Sequence, residues 1–254
     1  ELTCQRIGAK VHSITEKECL GFEFFSTGAS VKGAPILLKE FIEESNRTIK
    51  AKVLLVGGTH GDEYVAVSVV FKWLQFLQLD THAFHWKVTP LLNPDGLLRK
   101  KSTRTNGNGV DLNRNLPTPN WTQESQAHWV NTTNSNPRRF PGSTALSEPE
   151  NQWLVNEIES FRPDVIISTH APHGLVDFDG PPNGPSQLGS LEQRFLGTYP
   201  GSLGNFAGVQ LGLPVVTIEF KTAGSMPKPL EIETMWKDLI QWLEGRFPDG
   251  TNSI

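Results

Sequence analysis

The sequence predicts an α/β fold: one domain over residues 1–254, with a mixed, twisted central β-sheet flanked by helices. Two observations carry this. Short apolar, β-branched runs (Lys52–Val56, Asp164–Thr169, Val215–Ile218) alternate with longer runs whose apolar residues fall at helical spacing. No internal repeat and no low-complexity linker divides the 254 residues.

Taken in order, residues 1–50 read as a β-rich N-terminal part. Phe22–Ser26 and Ile36–Phe41 are the predicted strands, and Glu44–Asn46 is a turn. Lys52–Val56 is a buried central strand stopped by Gly57 and Gly58. Asp62–Leu77 follows as a helix with Val65, Val69, Trp73 and Phe76 on one side. Trp86–Leu92 is the next strand, ended by the turn signal Asn93-Pro-Asp-Gly96. Lys100–Phe140 is polar and rich in Asn, Pro and Thr, and reads as a long functional or disordered loop. Ser147-Glu-Pro-Glu150 starts a helix running to Phe161, with Ser147 as N-cap and Glu150 at the capping-box offset. Asp164–Thr169 is a buried strand with His170 at its end. Pro172–Pro185 is a Gly/Pro-rich loop, Pro200–Leu211 is helical, Val215–Ile218 is a strand ending in Glu219, and Leu230–Glu244 is a terminal amphipathic helix.

The formal net charge of −4 argues against nucleic acid as a partner, because phosphate recognition needs a cationic surface. No apolar run approaches the roughly 18 residues of a membrane span. Glu rather than Met at position 1 is expected where a leader or tag has been removed. The two cysteines, Cys4 and Cys19, are consistent with a disulfide in an oxidising compartment and equally with two separate thiols. The sequons at Asn46, Asn120 and Asn131 carry no weight, since the pattern arises often by chance.

Three strand ends present acid, base or metal-ligating groups. His60 and Glu63 follow the first central strand, His170 the next, and Glu219 the last. Such groups belong at the C-terminal edge of an α/β sheet. Two imidazoles and one carboxylate (His60, Glu63, His170) suit one Zn2+ ion and leave a coordination position open. Glu219 is then the free carboxylate able to act as base toward water. In the run Arg104–Arg114, Arg104 suits an oxyanion, and Asn113 with Arg114 suits a substrate carboxylate. Asp111 either orients a metal-binding histidine or makes a turn.

These residues resemble the zinc carboxypeptidase family, the funnel-type metallocarboxypeptidases. His-x-x-Glu matches His60 and Glu63, and the distant third ligand matches His170. Arg104, the pair Asn113-Arg114, and Glu219 in Thr217-Ile-Glu219 fall in the family's order and approximate spacing, over roughly Lys52–Glu244. The resemblance implies one zinc, peptide hydrolysis, and no nucleotide or organic cofactor. Asp111-Leu-Asn-Arg-Asn115, Ser147-Glu-Pro-Glu150 and His170-Ala-Pro172 are most similar to the bacterial murein peptide amidase branch. That branch cleaves between γ-D-glutamate and meso-diaminopimelate in peptidoglycan peptides. A periplasmic or secreted location is the expectation, with the cytoplasm also open.

Other readings are a murein LD- or DL-carboxypeptidase, an acyl-amino-acid deacylase of the aspartoacylase type, and a zinc-bearing binding module without turnover. The aspartoacylase group ordinarily has a second C-terminal domain, and the chain ends soon after its terminal helix. The binding module has no chemical need for Glu219 and Arg104. The family's mobile-loop tyrosine is not transferred, because Tyr64 and Tyr199 are the only tyrosines and their offsets decide nothing. Asp177 and Asp179, soon after His170, are expected to line the cleft, with one of them pairing with the far ammonium of diaminopimelate; an Asx-type turn before Gly180 is the competing reading. His82, His85, His128 and His173 are read as surface or packing residues. Trp121, Trp129 and Trp153 are read as packing residues rather than a sugar platform.

Overall fold

The computed structural model describes residues 1–42 and 48–248. Glu44–Asn46, read as a turn, and the sequon at Asn46 lie outside the described residues. In chain order come α1 (Leu2–Lys10), α2 (Glu16–Leu20), β1 (Lys39–Phe41), β2 (Lys52–Val56), α3 (Tyr64–Leu77), β3 (His85–Thr89), α4 (Pro94–Leu98), α5 (Trp121–Thr133), α6 (Pro149–Phe161), β4 (Val165–His170), β5 (Leu175–Asp179), β6 (Gln187–Leu188), β7 (Leu191–Glu192), β8 (Val215–Glu219) and α7 (Pro229–Arg246).

Six strands form one mixed sheet in the order β1-β3-β2-β4-β8-β5. The four inner strands are parallel, and β1 and β5 close the edges antiparallel. The inner strands are apolar on both faces because helices cover both. Val53, Leu55, Val165, Ile167, Val216 and Ile218 pack toward α3 and α7. Leu54, Val56, Ile166 and Val215 pack toward α6 and a helical segment at Gly204–Gln210. The first layer is locked by aromatic contacts, Trp73 to Trp236 at 5.6 Å and Trp86 to Trp236 at 5.5 Å between centroids.

The N-terminal part departs from the β-rich expectation. Residues 2–20 are two helices, and Phe22–Ser26 contributes only an isolated bridge between Phe25 and Leu38. Cys4, Ile7 and Val11 recur at helical spacing and are buried together. Thr15 and Glu18 form a capping box that starts α2. Of Ile36–Phe41, only Lys39–Phe41 joins the sheet. A disulfide joins Cys4 to Cys19, with Cα atoms 5.4 Å apart, so the pairing left open by the sequence is made.

The expected long loop is only partly a loop. It holds α5, flanked by Asn120 and Asn134 in left-handed conformation, and short turns at Leu112–Arg114 and Pro137–Arg139. The expected loop after His170 contains β5, bracketed by Gly174 and Gly180 at positive φ. The helix expected from Ser147 has Glu148 at its N-cap and no side-chain cap; Glu150 instead accepts from Asn106 and the Val31 N–H. Trp121 and Trp153 are buried and Trp129 packs on Phe140, as packing residues should.

Candidate active site and metal centre

The register of three strands gathers the site. On the parallel pair β4 and β8, His170 lies opposite Glu219 and Ser168 opposite Thr217. On the antiparallel pair β5 and β8, Leu175 lies opposite Glu219 and Asp177 opposite Thr217. Side chains alternate along a strand and paired residues share a face. Ser168, His170, Thr217, Glu219, Asp177 and Asp179 therefore share the face that β8 presents at Val215. Thr217, Glu219, His170 and both aspartates line one cavity of about 190 Å³ with His60, Asn113, Arg114 and Arg139. A larger cavity, about 300 Å³, lies between Leu191, Phe220 and Met235 and contains none of the site's acids or histidines.

His60 and Glu63 come from the turn between β2 and α3. Gly61 packs so closely on Gly96 that a Cβ there would collide with its backbone, which fixes the turn's path. Glu63 occupies the N-cap position of α3 without capping it. Its carboxylate faces the histidines instead: Oε1 lies 2.9 Å from His60 Nδ1, and Oε2 lies 3.3 Å from His170 Nδ1 while accepting the Ala171 N–H at 3.1 Å. The two Nδ1 atoms are 3.1 Å apart. Both Nε2 atoms point outward to partners, His60 to Asp111 Oδ1 at 3.1 Å and His170 to Ser168 Oγ at 3.0 Å.

This geometry fits a cation. The outer nitrogens are anchored, and the inner nitrogens and the carboxylate converge, with one ligand atom from each of His60, Glu63 and His170 within 4.8 Å of the others. Among the described residues it is the one group of three or more such side chains so arranged. All three are buried, where unpaired polar groups would be costly.

The charges are interlocked. Asp111 is wholly buried; burial would raise its pKa, but Arg104 and His60 hold it well below the usual carboxylate range. Burial also opposes ionisation of Glu63, and His60 and His170 outweigh it, so its pKa falls. Burial and Arg104 disfavour protonated His60, yet Glu63 and Asp111 raise its pKa. Arg104 donates from Nε to Asp111 at 2.8 Å and from Nη1 to Glu63 at 3.4 Å. Arg114 lies with its guanidinium 4.4 Å from the Tyr199 ring centroid, and burial, then Arg104 and Arg139 against Asp111, lowers it to about 10, still charged at neutral pH. Asn113 accepts from the Leu203 N–H at 2.8 Å. Glu219 is buried and accepts weakly from the His173 N–H at 3.4 Å. Asp179 is raised to about 6 by burial and by Asp177, and Asp177 is itself raised by burial.

Of the site residues expected from the sequence, His60, Asn113, Arg114, His170, Asp177, Asp179 and Glu219 line one cavity, and Glu63 and Asp111 touch His60, with Arg104 paired to both. Of the two readings of Asp111, the partner of His60 is the one its position favours, although it also accepts the Asn113 N–H. Among the cavity residues that carried no role in the sequence reading, three have aromatic or basic side chains. They are Tyr199, Arg139 and His173, the last read as a surface or packing residue, and all three line the cavity. His128, also read that way, packs on Tyr199 with centroids 5.5 Å apart. The nearest sequence signal for Tyr199 was its position upstream of Glu219; for Arg139 there was none beyond the Arg138-Arg139 pair.

The sequence profile described as zinc carboxypeptidase matches residues 21–178. The chain belongs to the zinc carboxypeptidase family. It is a hydrolytic metallopeptidase, and the family's single zinc fits the site formed by His60, Glu63 and His170. Among curated members, murein peptide amidase A of Vibrio campbellii is 30% identical over 224 residues, covering 87% of this chain and 79% of the relative. Murein peptide amidase A of Escherichia coli K12 is 31% identical over 226 residues, covering 85% and 88%. The crystal structure of murein-tripeptide amidase from Escherichia coli O157 superposes with a TM-score of 0.63 at 25% identity, covering 87% of this chain and 91% of that one. Thrombin activatable fibrinolysis inhibitor, at 14% identity and TM-score 0.69, covering 92% of this chain and 72% of that one, shares the zinc carboxypeptidase fold.

Proposed function

We propose that this zinc carboxypeptidase hydrolyses an amide bond in peptidoglycan peptides, namely the γ-D-glutamyl–meso-diaminopimelate bond. The observation that carries the proposal is one cavity holding two opposed charge sets beside the metal-type centre. Arg114 and Asn113 supply the cationic and amide set, and Asp177 and Asp179 the acidic set. Diaminopimelate offers a carboxylate next to the scissile amide and an ammonium at its far end, so it matches both sets. The similarity to two murein peptide amidases supports the same substrate class.

In this reading His60, Glu63 and His170 hold zinc, which supplies Lewis acidity and a lowered water pKa when bound. Glu219, across from His170 in the strand register, accepts a proton from the attacking water and returns it to the leaving amine nitrogen as the C–N bond breaks. Arg104 steadies the developing oxyanion; its Nε and Nη1 are committed to Asp111 and Glu63, which leaves Nη2 for the substrate. Arg114 grips the carboxylate beside the leaving amine, its guanidinium oriented by the Tyr199 ring. Asp177 and Asp179 receive the distant ammonium.

An LD- or DL-carboxypeptidase acting on the same stems would use the same residues and differ in the bond cut. Mass spectrometry of products from L-alanyl-γ-D-glutamyl-meso-diaminopimelate separates them. Alanyl-glutamate plus free diaminopimelate is the expected result; an untouched tripeptide, with a tetrapeptide losing only its terminal D-alanine, would refute the assignment. We also propose a periplasmic or secreted location, supported by the Cys4–Cys19 disulfide, since such bonds persist in oxidising compartments.

A further inference from the structure

Arg139 has no role in the reading above, yet its surroundings are unusual for an arginine. It is half-buried, it lines the cavity, and among the described residues its side chain makes no ion pair or hydrogen bond. An arginine ordinarily satisfies several of its five donors. Its position is built in. The turn Pro137–Arg139 starts with a proline and is capped by Asn136, whose side chain accepts the Arg138 N–H at 2.9 Å. Arg138 pairs with Asp62 at 2.6 Å, tying the turn to the loop that carries His60 and Glu63. The next residue, Phe140, accepts the Asp111 N–H at 2.8 Å, tying it to the partner of His60. Burial and the charges of Arg104 and Arg138 disfavour the cation, partly offset by Asp111 and Glu63. The Arg139 turn is thus fastened to the loop of His60 and Glu63 and to Asp111, whereas Arg114 packs against Tyr199.

We propose that Arg139 is a specificity-determining residue that binds the free α-carboxylate of a γ-linked glutamyl group on the acyl side of the scissile bond. This rests on the substrate class proposed above and extends it. A γ-glutamyl amide differs from an ordinary peptide in leaving its α-carboxylate unbonded, a few bonds from the scissile carbonyl. With the amine-side carboxylate on Arg114 and the carbonyl at the centre beside Arg104, the acyl group runs toward the Arg139 turn. An unpaired guanidinium there supplies the fork that such a carboxylate needs.

The test compares kcat/KM of the zinc-loaded full chain on two peptides: L-alanyl-γ-D-glutamyl-meso-diaminopimelate and the same peptide with the glutamyl α-carboxylate amidated. Wild type is expected to prefer the free acid by roughly 10- to 100-fold, the worth of a charged hydrogen bond. Arg139→Gln is expected to bring that ratio close to one, and Arg139→Lys to keep part of it. The ratio is insensitive to how much of a variant folds. A wild-type ratio near one, or an Arg139→Gln ratio equal to that of an acid-preferring wild type, would overturn the role of Arg139 while leaving the functional reading intact. A wild type inert on both peptides would overturn both.

Discussion

At the scale of single residues, the site places its roles in different environments. Glu63 is surrounded by the two histidines and the Ala171 N–H, so it is committed to the ligand set. Glu219 touches only one distant N–H among the described residues, so its carboxylate is available for proton transfer. Glu219→Gln should lower turnover roughly 10²- to 10⁴-fold while zinc stoichiometry stays at wild-type level; loss of zinc instead would make Glu219 a ligand. Asp111 acts through His60 Nε2, so Asp111→Ala should weaken zinc binding roughly 10- to 100-fold, read by competition with a chromophoric chelator. Asp179 gives a prediction in stability. Its folded pKa of about 6 lies above the unfolded value near ~3.9, so the folded chain binds its proton more tightly. Stability from this group is complete below the unfolded value and falls as pH rises to about 6. Asp179→Asn should therefore melt higher than wild type at pH 7.5, with a smaller difference at pH 4.5. A difference that does not change with pH would contradict this.

At the scale of elements, the central strands and helices were legible because burial stamps a period on them. Lys52–Val56, with the apolar spacing of Val65, Val69 and Trp73 after it, reads directly as β2 and α3. What was not legible had a weaker stamp. Helix α5 buries only Trp121 and Ser125, so its composition resembles a loop. Strand β5 has Asp177 and Asp179 where an edge strand ordinarily shows solvent, and the glycines on either side read as a loop. Its alternation was present all the same: Val176 and Phe178 join the core while the aspartates face the cavity. The N-terminal helices were not legible because residues 1–50 read as β-rich from Phe22–Ser26 and Ile36–Phe41, although Cys4, Ile7 and Val11 carry a helical period. The ligands, Glu219 and the arginines were legible from motif order, whereas Tyr199 and Arg139 reach the cavity through loop paths that no periodicity records.

Two predictions belong to this scale. Gly204 begins the helical segment Gly204–Gln210, and a Cβ there would collide with the Asp179 carboxylate. Gly204→Ala should raise KM for a diaminopimelate peptide more than it lowers kcat; a pure kcat effect would argue against a binding role for Asp179. The Cys4–Cys19 bridge spans 15 residues and closes α1 on α2. A loop of that size contributes about 3 kcal/mol in the chain-entropy description. The double Cys→Ser variant should melt several degrees lower, and an unchanged melting temperature would show that packing of Ile7 and Val11 alone holds the segment.

At the scale of the molecule, a parallel core with antiparallel edges gives one face on which three strand ends and two connecting loops meet. The arrangement brings His60, His170 and Glu219, far apart in sequence, to one cavity. Zinc binds the folded chain and not the unfolded one, so chelation should lower the melting temperature and zinc should restore it. The most direct measurement is X-ray absorption at the zinc edge of protein loaded with one equivalent. The account predicts a nitrogen and oxygen shell at about 2.0–2.1 Å with outer-shell scattering from two imidazoles. Zinc bound through one imidazole or none would contradict it.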